Sequence, residues 1–255
     1  MATPQHIVII GATSAMAEHC ARLWLQSAAT ASNSLRLTLV GRDEARTQRV
    51  ADDLRVRSPQ SNVHVMTTDF VNASAIQQTV NAINAQGPVD IVLIAHGVLS
   101  DQTTCQDDVL ACNVALQVNG VSPVLFAEAF AKPMVAANHG TIAIIGSVAG
   151  DRGRKTNYVY GAAKGLVSRY AQGMQHRLAH TDVKVVLIKP GPTDTPMTSD
   201  LKAKGQKMAS VEEVARNIVV AVGRQQSVVY VPVKWSVIMM IIRHLPSFIF
   251  NKLEI

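Results

Sequence analysis

Aromatic residues make up only 4% of this 255-residue chain and charged residues only 16%. The interior must therefore be built from Val, Ile, Leu and Ala, and with 48% apolar residues the composition excludes a disordered chain. Cysteine is also scarce: Cys20, Cys105 and Cys112 are odd in number and form no CxxC pair. They suggest neither a disulfide framework nor a zinc site, so no metal is expected and a reducing cytoplasm fits best. No basic n-region or signal-like cleavage pattern precedes the first apolar run at Ile7, so the N-terminus reads as mature. Internal repeats, low-complexity tracts and Pro/Gly/Ser linkers are missing too, leaving nothing to divide the chain. The net charge of +6 admits an anionic partner. Nucleic acid is not expected, since there is no recognition motif, basic run or aromatic-interleaved basic surface.

What is present is alternation. Apolar runs of strand length recur at Ile7–Ile10, Leu35–Val40, Val63–Met66, Val89–Ile94, Gly140–Ile145, Val183–Ile188 and Val228–Val231. Helical stretches between them begin near Ala15, Asp43, Ala73, Asp107, Asn157 and Val211, several beside a Ser, Thr, Asp or Asn able to cap exposed N–H groups. The alternation predicts right-handed crossovers and a doubly wound α/β fold, a seven-stranded parallel sheet of Rossmann type in three layers. Residues 1–233 read as one such domain. Residues 234–255 form an apolar C-terminal extension, in which KWSVIMMIIRHLPSFIF is broken by Arg243, His244 and Pro246. It is too short between charges for the ~20 residues of a spanning helix. Packing on another subunit or over the substrate cleft is the favoured reading, and contact with a membrane surface the alternative.

The segment IVIIGATSAMAEHCARLWL reads strand, tight turn, helix, which aims free helix N–H groups at a pyrophosphate. Gly11 opens the turn, and Thr13, Ser14, Ala15 and Met16 follow as candidate cofactor contacts. A full dinucleotide fingerprint would carry glycine at Ala15 and Ala17. After the second strand an NAD enzyme would place an acidic residue, but here the sequence is GRDEAR. Arg42 matches a 2′-phosphate with bidentate geometry and so predicts NADP(H). Asp69 and Phe70 in TTDF, and Ala95, His96 and Gly97 in AHG, lie past the third and fourth strands, at the carboxyl edge where such sheets bind ligands. His96 is read as a packing or hydrogen-bonding residue beside the cofactor rather than a base.

Tyr160 and Lys164 lie four apart on a predicted helix and share one face. A free phenol titrates near ~10, and a nearby ammonium favours phenolate, bringing proton transfer toward neutral pH. Ser147 follows the fifth strand, where its hydroxyl is placed to hydrogen-bond a substrate oxygen. With the strand–turn–helix start, these residues make the chain similar to the short-chain dehydrogenase/reductase family from Gly11 to about Met197. The resemblance implies that Ser147 stabilises the carbonyl, that Tyr160 transfers the proton, and that Lys164 also contacts the nicotinamide ribose. It implies that Asn119, in LQVNGVS, is the helix asparagine behind a proton-relay water, with Asn113 a competing candidate. In IKPGPTDTPMT it implies a turn at Pro190 and Gly191 and a nicotinamide contact at Thr195, with Thr193 in the same loop and Ile188 near the ring. A homodimer or homotetramer joined through the Asn119 and Tyr160 helices is also implied. The sequence departs from the family pattern at Ala15, Ala17 and AHG.

A narrower resemblance, in SVAGDRGRKTNYVYGAAK and the apolar tail, is to reductases acting on decaprenylphosphoryl 2-keto-pentofuranose, a sugar ketone on a lipid phosphate. Charge agrees independently. Arg152, Arg154 and Lys155 follow Ser147, and Lys202, Lys204 and Lys207 are expected on the substrate loop, so an anionic or lipid-linked substrate is anticipated. The chain thus reads as an NADP(H)-dependent oxidoreductase interconverting a ketone and a secondary alcohol. Alternatives are a 3-oxoacyl-type carbonyl reductase and a non-catalytic dinucleotide-sensing protein with the same fold.

Overall fold

The structure, a computed structural model, describes residues 4–203 and 205–253. The seven expected runs form strands β1 (Gln5–Ile10), β2 (Leu35–Gly41), β3 (Asn62–Thr67), β4 (Ile91–Ile94), β5 (Thr141–Ile145), β6 (Lys184–Pro190) and β7 (Val228–Val231). All pair in parallel in the order β3-β2-β1-β4-β5-β6-β7. The order reverses between β1 and β4, which opens a crevice at their carboxyl ends. Boundaries shift where local geometry intervenes: Gly140, at φ +125°, cannot extend the strand, so β5 begins at Thr141.

Successive residues of each buried strand serve opposite layers. Ile7, Ile9, Leu37, Leu39 and Val186 pack with helices α1 (Ala15–Thr30) and α2 (Glu44–Arg57). Val8, Ile10, Val92 and Ile142 pack on the other face with α3 (Ala73–Asn84). The helix expected near Asp107 is two. After α4 (Gln102–Asp107), the Asp108 carboxylate accepts the Leu110 N–H at 2.8 Å and starts α5 (Val109–Leu116). A π turn at Gln117–Val121 then carries the chain into α6 (Ser122–Ala137), whose Phe126 and Phe130 are fully buried on the sheet. The run Val109–Ala137 is long and apolar enough to cross a membrane, but burial of its inner face is that of a core helix.

The chain continues through α7 (Tyr158–Arg177), short α8 (Ser199–Ala203) and α9 (Val211–Gly223). α9 joins α1 on its layer through Val214 and Ile218, while α7 joins α3 and α6 through Val167, Ala171 and Met174. The apolar extension folds into α10 (Lys234–His244) and α11 (Ser247–Phe250), with Met239 buried.

Candidate active site

Gly11 ends β1 at φ +83°, where a Cβ would sit 2.6 Å from the His96 Cβ and 2.7 Å from its backbone nitrogen. Only glycine permits that conformation and that approach of β1 to the end of β4. Ser14 is the N-cap of α1, yet its hydroxyl makes no capping hydrogen bond, and Ser14 and Met16 line the cleft. Ala15 opens α1. Ala17 is fully buried in the core, so the methyl at that fingerprint position is absorbed by helix–sheet packing. Thr13 lies in the turn, off the cleft wall.

Arg42 is exposed just past β2, close enough to His96 for its charge to act on the ring. His96 is buried on the cleft wall. Its Nε2 is 2.8 Å from the Ser122 hydroxyl, and its buried Nδ1 has no partner. Burial, followed by the charges of Lys164 and Arg42, pushes its pKa down to about 3, so the ring is neutral and a very weak base. Asp69 is spent on a local turn, its carboxylate accepting the Val71 N–H at 2.9 Å. Phe70 is a core residue, edge-on to His96 and Phe126 with ring centroids 4.7 and 5.3 Å away. Neither Asp69 nor Phe70 lines the cleft. The unspent Ser14 hydroxyl at a helix N-terminus and the unpartnered His96 nitrogen on the same wall fit a bound dinucleotide.

Ser147 follows β5 and caps a single 3₁₀ turn, its oxygen accepting the Ala149 N–H at 3.1 Å. α7 places Tyr160 and Lys164 one turn apart on the face toward β5. The Lys164 ammonium donates to the Ile145 carbonyl at 3.0 Å and lies 5.9 Å from the centre of the Tyr160 ring. Burial lowers Lys164 to about 8, leaving it charged at neutral pH. Burial raises Tyr160 above the usual phenol range, and a hydrogen bond with Ser147 opposes that rise. The expectation that Lys164 pulls the phenol down is thereby corrected, because desolvation dominates and favours the neutral, proton-donating form.

The π turn carries Asn119 inward, fully buried. Its oxygen accepts the Val98 N–H at 2.8 Å and its nitrogen donates to the Ala115 carbonyl at 2.9 Å. The Asn119 oxygen and the Lys164 ammonium converge behind Gly97, 2.9 and 3.8 Å from where a Cβ would stand. The competing Asn113 is exposed on α5. π turns recur at functional sites because the extra residue redirects a side chain.

Both ends meet in one cleft of about 670 Å³ whose wall includes Ala95, His96, Gly97, Ser147, Tyr160, Lys164, Pro190, Gly191, Thr193 and Thr195. The Thr193 hydroxyl donates to the Gly191 carbonyl at 3.0 Å, and Thr195 caps the following turn. Ile188 is fully buried in the core layer and is not part of the wall. Of the expected basic residues, Arg154 and Lys155 line the cleft. Arg152 bonds to α10 instead, Lys202 pairs with Asp194 at 2.5 Å on the surface, and Lys207 is off the wall; Lys204 lies outside the described residues. Arg154 is half-buried, and that burial lowers its pKa. One contributor carries no sequence signal: Gln102, from the unforeseen α4, lines the cleft and accepts the Val159 N–H at 3.0 Å, fixing the start of α7. Trp235 of α10, in the extension expected to pack on a subunit or the cleft, closes on Gly191.

Comparison with known proteins agrees with this geometry. The family described as short chain dehydrogenase matches residues 5–206. An uncharacterized oxidoreductase of Streptomyces coelicolor is 25% identical over 252 residues, covering 99% of this chain and 97% of its own. Among solved structures, a short-chain dehydrogenase from Sphingobium yanoikuyae in complex with NADPH superimposes with a TM-score of 0.81 at 20% identity, over 95% of this chain and 97% of that one. A 3-oxoacyl-[acyl-carrier protein] reductase from Brucella melitensis in complex with NAD gives 0.78 at 20% identity, over 93% and 99%.

Proposed function

The chain belongs to the short-chain dehydrogenase family, and on that premise we propose that it is an NADP(H)-dependent oxidoreductase interconverting a ketone and a secondary alcohol on an anionic substrate. The observation that carries the reading is the meeting of Ser147, Tyr160 and Lys164 in the cleft that also holds the open N-terminus of α1. NADP(H), when bound, supplies or takes up the hydride. The turn from Gly11 to Met16, His96, and the loop from Pro190 to Thr195 would hold it. Its neighbours do not decide between cofactors, since one contains NADPH and another NAD. Arg42, where an acidic residue would favour NAD, supports NADP(H).

In the reducing direction the Ser147 and Tyr160 hydroxyls hydrogen-bond the carbonyl oxygen, and Tyr160 gives it a proton as negative charge develops there. The buried Lys164 ammonium stabilises the phenolate left behind, and the Asn119 carboxamide orders the backbone on the route by which that proton returns. Arg154 supports an anionic substrate, because a half-buried guanidinium on the cleft wall gains when an anion arrives. The resemblance carried by the DRGR stretch puts a sugar ketone on a lipid phosphate among the candidate substrates, beside a 3-oxoacyl thioester. The exposed apolar face of α5 provides the surface for a homo-oligomer.

A screen of NADPH oxidation against ketones, including phosphorylated and lipid-linked keto-sugars, tests the reading. Tyr160→Phe should lower kcat by ~10²–10⁴ with NADPH binding retained. Arg42→Asp should shift preference toward NADH, and Arg154→Ala should raise KM for phosphorylated ketones only. Full activity in Tyr160→Phe would sink the mechanism.

A further inference from the structure

The segment after Ser147 is tied to the C-terminal helices and to the ends of β6 and β7 by contacts that the catalytic reading does not use. The Asp151 carboxylate receives the Lys189 ammonium at 2.5 Å and the Tyr230 hydroxyl at 2.7 Å, and both side chains of the ion pair are almost fully buried, 3% and 4% exposed. A buried pair of this kind leaves a costly unpaired charge if either partner moves, so it fixes position. Arg152, the next residue, donates to the carbonyls of Ile242 and Leu245, each at 2.6 Å. These are carbonyls at the C-terminal end of α10, where a cation is favoured. The same guanidinium stands 3.8 Å over the Phe250 ring of α11. Trp235 of α10 is pressed against Gly191, so closely that a Cβ there would lie 2.0 Å from its indole nitrogen. The two tail helices therefore touch both the segment after Ser147 and the loop after β6.

We propose that α10 and α11 brace the turn that carries Ser147, with Arg152 and Phe250 acting as positioning residues. The inference rests on the oxidoreductase reading, because Ser147 is the group being placed. Four residues separate Ser147 from Arg152 in sequence, and both ends of that short span are fixed: at Ser147 by its own turn, at Asp151 and Arg152 by β6, β7 and the tail. Freeing the second anchor leaves the Ser147 hydroxyl less well aimed.

The test uses the full-length chain and two variants, Arg152→Ala and Phe250→Ala; the second changes no charge. Hydrogen exchange is followed at the Ala149 and Gly150 amides, which donate to the Ser147 side chain and carbonyl at 3.1 Å each. Both variants should exchange there about tenfold faster, with β1 amides as protected as in the wild type. In steady state, kcat should fall about ten- to a hundredfold with KM for NADPH unchanged. Arg152→Lys, which keeps the charge but not the planar guanidinium that stacks on Phe250, should recover only part of the loss. Wild-type exchange at these two amides in both variants overturns the brace, as does faster exchange shared equally by β1, which is general destabilisation. Should Arg152→Ala fail to fold, Phe250→Ala and Arg152→Lys decide. A wild type that turns over no ketone removes the oxidoreductase reading, while the exchange data still judge the brace.

Discussion

Lys164 is buried, bonded to the Ile145 carbonyl, and lowered to about 8. Below that pH it is an ammonium able to stabilise a phenolate; above it the charge is gone. For ketone reduction, kcat/KM should therefore stay level near neutrality and fall as pH rises through about 8, since this parameter reports the free enzyme. Initial rates across the range check this, and a profile still level well past pH 9 would contradict it. Tyr160, raised by burial, keeps its proton over the same range. The sequence assigns Ser147, Tyr160 and Lys164 to one site, and the structure brings the three into one cleft. The direction of the Tyr160 shift is not legible in the sequence, because it depends on how completely the cleft excludes water, which spacing does not encode. Asp69 and Phe70 show the same limit. Each stands at the carboxyl edge of a strand, but one bonds its own backbone and the other turns into the core.

At the scale of elements, parallel strands announce themselves because burial on both faces makes them continuous apolar runs, and all seven are readable. Interruptions inside helices are not. Gln117, Asn119, Gly120 and Pro123 mark a weak point in Val109–Ala137 without specifying a π turn, and QTTCQD carries no periodicity to mark α4. The contact between β1 and β4 gives a sharp prediction. Gly11→Ala places a methyl on the His96 backbone at a left-handed φ, and should destabilise the fold by at least ~2 kcal/mol in urea unfolding. Unchanged stability would mean that the two strand ends separate without penalty. Packing of the tail over the cleft is among the readings the sequence offers, but its partners, Arg152 and Gly191, are not legible because they lie far away in the chain.

Across the whole molecule, apolar surface remains uncovered both on the tail helices and around α5. Val109, Leu110 and Val114 on α5 are 80%, 74% and 56% exposed, and Leu166 on the neighbouring α7 is 43% exposed. Exposed apolar residues on neighbouring helices are what an association surface would use. If homo-oligomers form there, Leu110→Asp should shift the chain to monomer in light scattering after gel filtration, with the wild type at two or more copies. Identical masses would place association elsewhere. The π turn on the same long helix has its own consequence for length. Each helical residue turns the chain by about 100°. Deleting one residue between Gln117 and Val121 would restore a regular coil, but it would also rotate everything downstream relative to everything upstream. Phe126 and Phe130 could then face the sheet, or Asn119 could face Lys164, but not both, so this stretch should tolerate substitution far better than any change in its number of residues.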